Sequence, residues 1–135
     1  MNPAMETQEK DAGRTWSVLV IDMFHYMDPE DGERTVEGFL RPEDAIEYAR
    51  RRMRSSLEEC RPSAADAADL RNRWFMFGED CIAIGTGYMA SSELDDFIAH
   101  PATPEEIDWV SLEPDPQMRG FLLDVARATK GESCP

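Results

Sequence analysis

The sequence contains no apolar run near the roughly 18 residues that a membrane span requires, and its first 15 residues, MNPAMETQEKDAGRT, lack the apolar stretch of a secretory signal. Neither export nor membrane insertion is expected, and the expected location is cytoplasmic. Cysteine is scarce. Cys60, Cys81 and Cys134 form no C-x-x-C pair, so the spacing supplies neither a disulfide framework nor a zinc site. Lysine is scarcer still: only Lys10 and Lys130 among 14 basic residues. With abundant alanine, proline and glycine, this reads as codon bias of a GC-rich bacterial genome, and arginine enrichment alone carries no functional weight. His25 and His100 are the two histidines, and no serine or cysteine lies in a recognisable nucleophile elbow. Internal repeats, heptads and low-complexity tracts are also missing.

Acid, by contrast, is plentiful. The chain carries 28 Asp and Glu and a net charge of −14, which disfavours a nucleic-acid ligand because phosphate binding depends on basic side chains. That excess is uneven. Residues 41 to 73 hold eight arginines against seven carboxylates, so all the excess acid lies on the flanks. With 135 residues, 41% of them hydrophobic, the chain is sized for one domain with its own core. The expected partition is a polar leader over 1–14, read as disordered, and one α+β domain over 15–135 with 88–135 as a helical C-terminal extension.

Residues 16–22, WSVLVID, are β-branched and apolar and read as a buried strand, while 34–40, RTVEGFL, reads as its hairpin partner across the turn-forming MDPEDGE. Pro42 suits the first turn of a helix, with Glu43 and Asp44 at its positive end. Ala45, Ile46, Ala49, Met53, Ser56, Leu57 and Cys60 then recur at helical spacing, which places Arg50, Arg51, Arg52 and Arg54 on the opposite, solvated side. Pro62 ends that helix near Cys60. A second helix is expected from Ala64 or Ala65 to Phe77, capped by Ser63, buried through Ala67, Leu70, Trp74 and Phe77, and stopped by Gly78. CIAIG at 81–85 reads as a third strand and Gly85-Thr86-Gly87 as a turn. Beyond it, Ser91 or Ser92 caps a short helix, T-P-E-E at 103–106 forms a capping box, and 116–129 presents Met118, Phe121, Leu122 and Val125 on one helical face. The expected fold is therefore α+β: a small three-stranded antiparallel sheet in the order hairpin, helix, helix, strand, with additional C-terminal helices.

Three stretches, Asp22-Met23-Phe24-His25-Tyr26-Met27-Asp28, then Gly38-Phe39 leading to Glu43-Asp44-Ala45, then Phe77-Gly78-Glu79-Asp80, resemble a family of small uncharacterised bacterial proteins with FHYMD and FGED motifs. The resemblance spans about residues 16–84. Cys81 stands where that family has proline, and Met23 where it has asparagine. The resemblance implies a shared core and no particular chemistry.

Two sets of candidate residues follow. His25, flanked by Phe24 and Tyr26, is a candidate polar site if Asp28, Glu79 or Asp80 orients it, since a carboxylate on one imidazole nitrogen fixes the tautomer and raises basicity. The segment DMFHYMDPEDGE, with Asp22, His25, Asp28, Glu30, Asp31 and Glu33, is a candidate for a divalent cation, although it lacks the spacing of a calcium loop. Against this, adjacent strand residues such as Glu79 and Asp80 point to opposite faces, and His25 also reads as the partner of a turn carbonyl. The second set is aromatic: Phe24, Tyr26, Trp74, Phe75 and Phe77. Trp74, Phe75, Met76 and Phe77 are consecutive in a helix, so they cannot all face one core, and those left outside are candidate interface anchors. The arginine cluster is expected to pair with the chain's own carboxylates. The leading expectation is a non-enzymatic protein–protein interaction module that binds a protein partner or a second copy, with no cofactor, no nucleic acid and no membrane. The rivals are a small enzyme or metal-binding domain built on His25, and an acidic mimic of nucleic-acid phosphate.

Overall fold

The computed structural model describes residues 15–25 and 32–114. The expected leader, the expected helix over 116–129, Tyr26, Asp28 and Cys134 lie outside those residues.

Strand β1 (Trp16–Asp22) pairs antiparallel with β2 (Glu33–Phe39) on one side and β3 (Glu79–Ala83) on the other. A two-residue strand β4 (Tyr88–Met89) closes the far edge, so the sheet has four strands in the order β2-β1-β3-β4 rather than the expected three. Strand β3 begins two residues before the expected CIAIG run. Glu79 and Asp80 are strand residues, paired with Asp22 and Ile21, because cross-strand pairing overrides their poor intrinsic strand preference. Gly85 and Gly87 take positive φ in the turn that joins β3 to β4, as the short G-T-G run requires.

Helix α1 (Pro42–Cys60) has the expected bounds and proline start. It lies on one face of the sheet: Ala45, Ala49, Met53 and Leu57 meet Val18, Val20, Cys81 and Ala83 in one buried cluster. Alanine at two of those helical positions lets the helix axis approach the sheet closely. Alternate sheet residues Leu19, Ile21 and Ile82 lie off this cluster, on the face away from α1.

The arginine side of α1 differs from expectation. Arg52 and Arg54 are buried, not solvated. The chain from Ala90 to Pro114 runs back as a strap over that side and covers it. The strap comprises a 3-10 turn (Ala90–Glu93), helix α3 (Leu94–Ala99) and 3-10 turns at Pro104–Ile107 and Val110–Leu112. Arginine heads clamp it by donating to strap carboxylates and carbonyls. Arg50 binds Glu93 and Glu47, Arg51 binds Glu47 and the Asp108 carbonyl, and Arg54 binds the His100 carbonyl and Glu106. The T-P-E-E capping box is present at Thr103–Glu106.

Helix α2 (Ala67–Phe77) starts later than expected. Arg61–Ser63 continues as a 3-10 turn, and the cap is Asp66, whose carboxylate accepts from Asp69 N at 2.8 Å, rather than Ser63. Leu70 and Trp74 are buried, whereas Ala67 and Phe77, expected on the same face, are exposed. No described helix is long and apolar enough to cross a membrane.

Candidate interaction surface

At the end of β1 the Asp22 carboxylate accepts from Phe24 N at 3.0 Å and meets His25 Nδ1 at 2.9 Å, while His25 N donates to the Asp22 carbonyl at 3.2 Å. This aspartate-centred turn stops the strand and swings Phe24 out. Met23 N donates to the Gly78 carbonyl at 2.9 Å, so the FHYMD segment begins directly against the FGED segment. The side chains that meet across this contact are phenylalanines: the rings of Phe24 and Phe77 lie 5.6 Å apart, and His25 packs edge-on against Phe24 at 4.7 Å.

Beneath them, α2 ends tightly. Gly78 has an extended backbone and does not use positive φ; it is glycine because a Cβ there would fall 2.1 Å from the Trp74 ring. Ser56 Oγ ties three elements at that point. It accepts from Trp74 Nε1 and from Glu79 N, both at 2.9 Å, and its proton is directed to the Met53 carbonyl at 2.7 Å. The bond to Trp74 satisfies the one polar atom of an otherwise wholly buried side chain.

The end of α2 therefore presents a fixed apolar surface. Phe24 is 61% exposed, Met76 57%, Phe77 50% and Phe75 45%. Phe75 is steadied on one side by Trp74 and on the other by the Arg71 guanidinium, 5.3 Å from its ring centre. Next to Phe77 opens a polar groove of about 340 Å³ between α1 and the starts of β2 and β3. Asp22, Arg34, Ser55, Glu59 and Glu79 line it, with Arg52 and Trp109 at its inner end. Arg52 is held there by Glu79 at 3.1 Å and Tyr48 Oη at 2.6 Å, with Glu113 at 3.8 Å and the Trp109 ring 4.2 Å from its guanidinium carbon. Burial pushes the Tyr48 hydroxyl well above its ordinary range, so it stays protonated and donates to Glu113 at 2.5 Å.

Of the aromatic candidates, Phe24, Phe75 and Phe77 are at the surface. Trp74 is a correction: it is fully buried, because it shares with Leu70 the helical face that packs inward. Tyr26 is outside the described residues. Among the described residues, the polar candidates His25, Glu79 and Asp80 each make their own hydrogen bonds or ion pairs. His25 is paired with Asp22. Glu79 faces Arg52 of α1 and Arg34 of β2. The Asp80 carboxylate accepts from Cys81 N at 2.8 Å and Ser91 N at 3.0 Å, which ties the start of the strap to β3. Among the described residues, no group of three or more His, Cys, Asp or Glu side chains is arranged to hold a metal ion.

Sequence reasoning missed Asp22 as the pivot of the turn, Glu59 in the groove and the buried role of Arg52. Asp22 carried a readable signal, an aspartate two residues before Phe24 at a strand end, where Asx turns form. Glu59 and Arg52 carried none, since their setting depends on the sheet and strap meeting α1. No family model, no curated protein and no solved structure matches the chain.

Proposed function

We propose that the protein is a non-enzymatic interaction module that binds another protein through the Phe24–Phe77 surface, with Phe75 and Met76 extending it. One observation carries this reading: two phenylalanines from different elements, each at least half exposed, are held 5.6 Å apart by backbone and aspartate hydrogen bonds. Large exposed aromatics grouped on a fixed scaffold match the anchors of protein interfaces, because they bury much area at small entropic cost. The groups that would serve acid–base chemistry are instead engaged in separate structural pairs. His25 holds the turn with Asp22, Glu79 neutralises arginines, and Asp80 ties Ser91 to β3.

The test replaces Phe24 and Phe77 together with serine and follows the proteins that co-purify with the chain from its native host. Both side chains are exposed, so the far-UV spectrum and urea midpoint are expected to stay near wild type while a specific partner is lost. A Val110→Ser control, altering an exposed apolar residue of the strap, is expected to retain it. If the double variant keeps every partner of the wild type, the reading is wrong.

A further inference from the structure

The groove beside Phe77 bears on what kind of partner this surface takes. Most carboxylates of α1 are matched by arginine: Glu43 and Asp44 lie by Arg41, Glu47 by Arg50 and Arg51, and Glu58 by Arg61. In the groove, Glu79 faces both Arg34 at 3.5 Å and Arg52 at 3.1 Å, and Arg52 also reaches Glu113. Asp22 is engaged by His25. Glu59, which lines the same groove, has no cationic partner among the described residues. It sits in the last turn of α1, where the helix dipole disfavours a negative charge, and no basic residue lies in that turn. Glu59 keeps an exposed edge, but partial desolvation against the groove wall, and then the charge of Glu79, push its carboxyl above the ordinary value.

An unmatched carboxylate thus adjoins an exposed aromatic pair, with Phe77 bordering both. We infer that the patch and groove form one docking surface for a basic segment of another protein, an apolar residue seated on Phe24 and Phe77 and an arginine or lysine side chain reaching Glu59. This inference rests on the interaction reading above and gives the partner its chemistry. A basic segment supplies the charge that the groove lacks, and a chain with net charge −14 attracts it over distance. A second copy brings 28 further carboxylates against 14 basic groups, so electrostatics opposes it.

The experiment measures fluorescence anisotropy of two short synthetic amphipathic peptides, one of leucine and arginine and one of leucine and glutamate, against the full chain. The arginine peptide is expected to bind and the glutamate peptide not. Glu59→Gln is expected to weaken binding about threefold to tenfold, and Phe24→Ser to weaken it as well. Glu105→Gln, which removes an exposed glutamate outside the groove, is expected to leave it unchanged. Equal losses from Glu59→Gln and Glu105→Gln would reduce the effect to diffuse charge attraction and overturn the inference. So would binding of the glutamate peptide, or a dimer in sedimentation that the Phe24→Ser, Phe77→Ser variant dissolves. If that double variant loses its cellular partner while Glu59→Gln changes nothing, the basic-segment inference alone fails; if the double variant loses nothing, the interaction reading fails with it.

Discussion

Ser56 shows how much one small side chain can hold when three elements converge on it. Its Oγ accepts from Trp74 Nε1 and Glu79 N, so α1, α2 and β3 share a single atom. Ser56→Ala leaves two donors without a partner in a buried setting, and a loss of about 1–3 kcal/mol is expected in urea unfolding. The serine read from sequence as one member of an apolar stripe, because periodicity reports which way a residue faces and not what it bonds. Trp74 reads both as a core residue and as an interface candidate, and only the first holds. Its four-residue spacing from Leu70 marked a core face, and the structure buries both. Glu59 gives the opposite prediction. Its folded pKa lies above the unfolded one, so the charged form costs stability above the folded value, and that cost vanishes as pH falls below the ordinary 4.5. Glu59→Gln is therefore expected to raise the urea midpoint at pH 7 and to leave it unchanged below about pH 4.

At the scale of elements, α1 is buried on two sides by different chemistry. Its alanine, methionine and leucine side meets the sheet, and its arginine side meets the strap. The first was legible, since Pro42, the acidic first turn and the three-and-four spacing each point to the same helix. The second was not, because four arginines in five residues ordinarily mark a solvated face, and only the returning strap with Glu93, Glu106, Asp108 and Glu113 turns them inward. Strand β4 was illegible for a simpler reason: two residues carry no period. The shift in β3 arose because Glu79 and Asp80 look like turn residues until β1 pairs with them. Arg52 tests the arginine side most sharply. Arg52→Ala removes the cation that faces Glu79 and Glu113 beneath the strap while Tyr48 keeps its bond to Glu113, and a loss of about 3 kcal/mol is expected by denaturant unfolding. A loss under about 0.5 kcal/mol, the range of a surface substitution, would show the strap is held by its backbone contacts instead.

For the whole molecule, the acidic flanks and the near-neutral middle of the chain come together by folding. The arginines of 41–73 neutralise strap carboxylates that lie far along the sequence, as in the pairs Arg50–Glu93 and Arg54–Glu106. What remains outward at the end of α2 is apolar and fixed: Phe24, Phe75, Met76 and Phe77. The candidate site was legible in the sequence as aromatic excess in WFMFG and FHY. Its juxtaposition was not, because Phe24 reaches Phe77 only through the pairing of Asp22 with Glu79 and the bond from Met23 to Gly78. The most direct measurement places a photo-crosslinking phenylalanine derivative at position 77 and, separately, at position 110, then irradiates cells of the native host. The account predicts a discrete protein adduct from position 77 and none from position 110. An absence of adducts at 77, or the same adducts from both positions, would contradict it.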